Sequence, residues 1–247
     1  MLETKEIIKL IEDFAPPELA EDWDNSGWQI NLGIEHTKKI CLALSPSLEV
    51  VKQAAQEGCD LIVSHHPLFF EKINKFSTEN ITCQIARIAI QNNIQIYSAH
   101  TNMDKAPEGL NHELAKRLGL KNLFQINDFV IQGFTQREYT LEEFIKYIKQ
   151  QLGCETIKII NPQNKNVINS VSLCTGSGSE FSNSADTDVF ITGDVKFHSA
   201  LDANNKIILD IGHFESEKFV VDLFEKIFKN KDIQIFIAKE KSPWLTV

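Results

Sequence analysis

Long apolar runs are missing from this sequence: nothing approaches the roughly 18 to 20 residues that a bilayer-spanning helix requires. The opening residues, MLETKEIIKLIEDF, form an acidic amphipathic pattern rather than a basic stretch followed by an apolar block, so no export signal is expected. Paired cysteines are missing too. Cys41, Cys59, Cys83, Cys154 and Cys174 show no CxxC spacing and are odd in number, which fits buried thiols in a reducing cytoplasm rather than a disulfide framework. Clusters of positive charge are absent: 25 Lys and Arg stand against 34 Asp and Glu, a net charge of -9. That balance argues against nucleic acid as a partner and against a DNA-encircling ring. With only 11 Gly, 7 Pro and no low-complexity tract, collagen-like and linker-like chains are excluded. What is present is ordinary globular usage, 43% hydrophobic and 24% charged over 247 residues, enough for one large or two small domains with a sizeable core.

The apolar pattern changes period in a regular order. An amphipathic helix over 4–14 precedes a buried strand (KKICLALSP), a helix stopped by Gly58 (SLEVVKQAAQEG), a strand (CDLIVSHHP), a helix (ITCQIARIAIQNN), a strand running into a loop (IQIYSAHTNMD) and a helix (GLNHELAKRLGL). This βαβαβα alternation builds a parallel sheet, and ligand sites in such sheets gather at the carboxyl edge. After about residue 126 the order becomes strand (DFVIQGF), helix with a Thr140/Glu143 capping box, strand (ETIKII), a turn-rich NPQNKN, then strands SVSLC, DVFIT and KIILD, a short helix around VKFHSALDAN, one long helix (HFESEKFVVDLFEKIFKN) and a last strand (DIQIFIAK). The expected fold class is α/β, with two interlinked α/β lobes of mixed, largely parallel sheets, residues 1–126 and 127–247.

Four of the seven histidines sit where predicted strands end: His65 and His66 in SHHP, His100 in AHTNMD and His213 in GHFESE. Taken singly, a strand-end histidine is ordinarily a solvated or capping residue. As a set on one sheet edge they form a candidate site. Neighbours on a regular strand point in opposite directions, so His65 and His66 cannot both serve one ion from a regular strand, whereas at a strand-to-loop transition they can each face a different metal. Asp104, four residues after His100, has two oxygens with which to bridge cations. His213 and Glu217 share one face at a helix start and can meet one metal. Imidazole and carboxylate together suit Zn, Mn, Fe, Co or Ni, without naming which. His198, one turn after Asp194, is a candidate proton donor or a cap of its own helix, and His36 and His112 read as structural or surface residues. The TGSGSE loop is a weak phosphate-cradle candidate, lacking a Walker Lys-Ser/Thr pair, and reads equally as a tight turn. Trp23 and Trp28 read as packing residues rather than a base-stacking platform.

The segments DNSGWQI, DLIVSHHPLFF, YSAHTNMD, LCTGSGSE, FITGDVKFH and DIGHFESE, in this order, resemble the Nif3-like proteins, also known as GTP cyclohydrolase I type 2 homologues. The resemblance implies two interlinked α/β lobes with a dinuclear metal site between them, two divalent metal ions per subunit, and assembly as a toroidal homohexamer. It implies His65, His66, Asp104, His213 and Glu217 as metal ligands, with Asp104 bridging, and His100 as a further site residue. Ser45 departs from the family pattern, in which an acidic residue commonly follows the strand. The implied activity is a metal-dependent hydrolase acting on a nucleotide-like small molecule, with GTP ring opening and loss of formate as its specific form. Two cations about 3.5 to 4 Å apart activate water at neutral pH and polarise the bond under attack. His100 or His198 would move protons. The opposing reading is a noncatalytic metal-binding or protein-interaction ring.

Overall fold

The computed structural model describes residues 1–161, 167–203 and 206–245, so most of the NPQNKN turn lies outside the described residues. The chain forms two compact units: Met1–Ala106 with Val220–Glu240, and Pro107–Phe219 with Lys241–Val247. This differs from a contiguous division at residue 126. The chain leaves the first unit twenty residues earlier than the change of rhythm suggests, and returns to it for its last helix and strand.

The first unit is built on a five-stranded sheet in the order Gln234–Ile237, Lys39–Ala43, Leu61–Ser64, Gln95–Ser98, Gly27–Ile30. The first four strands run parallel and Gly27–Ile30 runs antiparallel at the edge. Leu61–Ser64 and Gln95–Ser98 are buried at every position, as expected for central parallel strands covered on both faces. Helices Leu48–Gln56 and Ile81–Gln91 form where an apolar stripe follows a capping side chain: Ser47 Oγ accepts from the Val50 amide and Asn80 Oδ1 from the Cys83 amide. Their buried faces, with Val50, Val51, Ala54, Ile85, Ala86 and Ala89, close over Cys41, Ala43, Ile62 and Ile96 of the sheet. Because the four parallel strands share one direction, Ser45, His65, His100 and Glu240 all follow carboxyl ends on the same edge.

The second unit carries a six-stranded mixed sheet in the order Lys121–Gln125, Ile131–Tyr139, Ile168–Leu173, Val189–Thr192, Ile207–Asp210, Lys158–Ile160. Ile168–Leu173, Val189–Thr192 and Ile207–Asp210 are parallel neighbours, so Gly176, Asp194 and His213 leave a common edge. The helix Leu141–Leu152 has the expected capping box between Thr140 and Glu143 and ends at Gly153, whose positive φ of 64° suits the left-handed cap.

The strand Lys121–Gln125 is additional to the sequence reading, and two of the elements it named take another form. The loop after Gln95–Ser98 is a short helix, Thr101–Lys105. The long helix expected from His213 onward is two, His213–Glu217 and Val220–Ile227. The break has a packing cause: Phe219 joins the core of the second unit, under the Arg117 guanidinium 4.1 Å from its ring, whereas Val220, Leu223 and Phe224 are buried in the first. All five cysteines are buried and none is in a disulfide. Among the described residues no helix is long and apolar enough to cross a membrane.

Candidate metal centres

In the first unit, His65 and His66 leave the Leu61–Ser64 strand with its alternation broken. Consecutive amides normally point to opposite neighbours, yet the His65 N–H donates to Ala43 O (3.3 Å) and the His66 N–H to Leu44 O (2.9 Å) on the same adjoining chain. The two rings therefore lie together, their centroids 5.1 Å apart and tilted by 45°. The His100 ring joins them at 5.1 Å from His65 and 5.7 Å from His66. One ring nitrogen from each of the three lies within 4.8 Å of the others. The two rings lie side by side because the regular strand ends at Ser64, as expected of a strand-to-loop transition.

The orientation of each ring is set by a partner on Nδ1. Fully buried His65 has Nδ1 2.9 Å from the carbonyl of Ala99, and since a carbonyl only accepts, Nδ1 carries the proton and Nε2 of the neutral ring keeps its lone pair. His100 Nδ1 donates to Asp24 Oδ1 (2.8 Å), with the same consequence. His66 Nδ1 lies 2.7 Å from Ser45 Oγ. So Ser45, the departure from the family pattern, still supplies an orienting atom. Asp104, on the turn of helix begun by His100, brings Oδ1 to 3.7 Å from His65 Nε2.

Asp24 is the buried anchor of this arrangement. Its side chain is 0% exposed and accepts from His100 Nδ1, the Thr101 amide (3.1 Å) and hydroxyl (2.6 Å), Ser26 Oγ (2.8 Å) and the Asn25 amide (2.7 Å). Burial works against its charge, but hydrogen bonds from His100, Thr101 and Ser26 outweigh it and hold the carboxyl well below the usual range. Glu240 accepts from the amides of Leu44 (2.6 Å) and Ser45 (3.0 Å), and burial raises its pKa despite them.

In the second unit, His213 opens the helix His213–Glu217. Its Nδ1 lies 2.7 Å from Asp194 Oδ2 and its Nε2 2.9 Å from Glu217 Oε2. Burial alone would lower its pKa; Glu217 and Asp194 together push it up to about 9. The Gly/Ser loop makes room for this pair instead of cradling an anion. The Thr175, Gly176 and Gly178 amides donate to Asn111 Oδ1, Ser216 Oγ and Thr192 Oγ1. Gly176, at φ +59°, presses against Glu217: a Cβ there would fall 2.2 Å from Glu217 Oε1. His198 is exposed, its ring edge-on to Phe197 at 5.6 Å; the carboxylate it was paired with in the sequence, Asp194, bonds His213 instead.

Both arrangements have the chemistry of metal ligation. A histidine that ligates through Nε2 characteristically gives its other nitrogen to a carboxylate or carbonyl, which fixes the tautomer and raises ligand basicity. His65, His100 and His213 have such partners in Ala99, Asp24 and Asp194, and His66 has a hydroxyl. Asp24 and Ala99 were not among the candidates from sequence. Asp194, a carboxylate at a strand end, carried the same signal as the histidines.

The family model described as Duf34/NIF3 (NGG1p interacting factor 3) matches residues 2–243. A protein of Clostridium perfringens named GTP cyclohydrolase 1 type 2 homolog is 33% identical, with 98% of this chain and 99% of that protein covered. One of the same name from Methanocaldococcus jannaschii is 32% identical over 95% and 98%. Among solved structures, a Bacillus cereus protein related to NIF3 superposes with a TM-score of 0.92 at 22% identity, covering 100% of this chain and 99% of the other. Reduced HcgD from Methanocaldococcus jannaschii superposes with 0.85 at 30% identity, covering 96% and 97%.

Proposed function

Because the chain belongs to the Duf34/NIF3 family, we propose that it is a hydrolase dependent on two divalent metal ions, acting on a nucleotide-like small molecule, with opening of the GTP imidazole ring and loss of formate as its specific reaction. The observation that carries the reading is the pair of histidines His65 and His100, whose Nδ1 atoms donate to Ala99 O and Asp24 Oδ1 so that Nε2 is offered as a ligand, beside His66 and, in the second unit, His213 between Asp194 and Glu217. Relatives named GTP cyclohydrolase 1 type 2 homolog support the substrate class. The proposed ligands are His65, His66 and Asp104 in the first unit and His213 and Glu217 in the second. His100 is added to them, because its ring nitrogen lies with those of His65 and His66, and His198 stays as the candidate proton donor. Bound ions would supply activation of water and polarisation of the scissile bond. The protein's own groups, Ala99 O and Asp24, fix the tautomers of His65 and His100, and hydrogen bonds hold the Asp24 carboxyl charged.

The test is elemental mass spectrometry of tag-free protein after incubation with Mn, Zn or Fe(II), followed by detection of formate from GTP by proton NMR. About two ions per chain are expected, with clear loss in a His65→Ala, Glu217→Ala double variant. No metal uptake under any of these conditions refutes the reading. Metal uptake without turnover of GTP or other nucleotides would favour the noncatalytic interaction role suggested by the family description. Light scattering tests the proposed hexamer in the same preparation.

A further inference from the structure

We infer that Trp23 and Phe70 form a holder for a planar aromatic ring of the substrate, beside the histidine cluster of the first unit. The inference rests on the proposed hydrolase and narrows its substrate to ring-bearing molecules. Trp23 is 62% exposed and Phe70 61%, so neither is the packing residue that the sequence suggested for Trp23. Trp28 does pack, edge-on to Tyr97 at 5.4 Å. Trp23 and Phe70 come from separate loops, yet their centroids lie 6.1 Å apart in an edge-to-face arrangement, and each lies edge-on to His100, at 6.3 and 6.1 Å.

The residues next to both rings are fixed in place. Asn25 Nδ2 donates to Phe69 O (2.7 Å), the Phe69 amide donates to Gln29 Oε1 (3.0 Å), and Gln29 Nε2 donates to Asn25 O (2.6 Å). On the other side of Trp23, Asp24 is bonded to His100 and Thr101. Two large rings are thus kept in water by a hydrogen-bonded frame, and what the frame aligns them with is His100. A structural role does not need exposed rings, and two rings rimmed by ionisable groups present too little apolar area for a stable protein interface. A small ligand fits: a few aromatic walls beside converging polar groups is the usual make-up of such sites. Stacking on aromatic side chains tolerates any planar base, so ring shape is selected here and not base identity.

The experiment is calorimetric titration of guanosine monophosphate and of ribose 5-phosphate, which shares the phosphate and sugar but lacks the ring. Wild type, Trp23→Leu, Phe70→Leu, the double variant and Trp23→Phe are compared in metal-loaded and metal-free form, with metal content and sedimentation measured in parallel. Wild type should prefer the ring-bearing ligand about five-fold or more, the lower end of what base stacking contributes. The leucine variants should lose that preference while metal content and ribose 5-phosphate binding stay as in wild type, and Trp23→Phe should retain most of it. A wild type without preference, or a double variant that keeps it, overturns the inference. A leucine variant that changes oligomeric state while its ligand preference is unaltered assigns the rings to a contact between copies and overturns it equally. Because the preference is also read without metal, failure of the metal site and failure of the ring holder are separable.

Discussion

Replacing Asp24 with Asn tests the orienting frame with almost no change in shape. Oδ1 of Asp24 accepts from His100 Nδ1 and the Asn25 amide, and Oδ2 from the Thr101 amide and two hydroxyls. An Asn must place its NH2 on one side or the other. Either way a backbone N–H that cannot turn, that of exposed Asn25 or of buried Thr101, then faces another donor, and only at Thr101 is that donor out of reach of water. A buried donor left without an acceptor costs about 1 to 3 kcal/mol, and the charge on the remaining bonds is also lost. About 3 kcal/mol of destabilisation is expected, which for a chain of this size is a fall in Tm of about 6 to 12 °C. With NH2 toward His100 the ring must shift its proton to Nε2, so metal affinity should fall about 10- to 100-fold. Differential scanning calorimetry of chelator-treated protein and a competitive zinc titration measure the two effects. The pH dependence has a fixed sign. The Asp24 pKa is lowered on folding, so its stabilisation is present above the unfolded value near 4 and is lost as pH falls below it. The gap between wild type and variant should therefore close in acid. Equal Tm and equal zinc affinity at pH 7 would refute the claim that Asp24 holds His100 for ligation.

Gly176→Ala should push Glu217 aside, because the new Cβ would fall 2.2 Å from Oε1 in a backbone conformation of positive φ; metal per chain should drop from about two to one while circular dichroism is retained. Two ions in that variant would count against Glu217 as a ligand. Ser45→Ala removes the hydroxyl 2.7 Å from His66 Nδ1 and should weaken metal binding by about ten-fold, with Ser45→Asp restoring it; no change in either sinks an orienting role for position 45. Glu217→Ala should lose metal before it loses fold, since the packing of Val220, Leu223 and Phe224 does not depend on it, and cooperative unfolding should persist in its chemical denaturation curve.

The location of the candidate centres was legible in the sequence because it follows from topology. In a parallel sheet every strand delivers its next residues to one edge, so ionisable groups placed after buried strands converge whatever their spacing. That argument finds His65, His66, His100 and His213, and it would have found Asp194 had strand-end carboxylates been weighed as the histidines were. It does not find Asp24, which lies 76 positions from His100 ahead of an antiparallel edge strand, nor the Ala99 carbonyl, since every residue carries one. The broken helix at 218–219 was hidden for a related reason: the apolar stripe from Phe219 to Phe228 is continuous, and which core receives each part is decided by tertiary packing. The ligand set and its orienting set thus have different origins. Ligands follow from the order of strands, whereas the protonation state that makes them ligands follows from long-range partners on Nδ1. A substitution among those partners should leave the list of histidines intact and still change which nitrogen is offered to a metal.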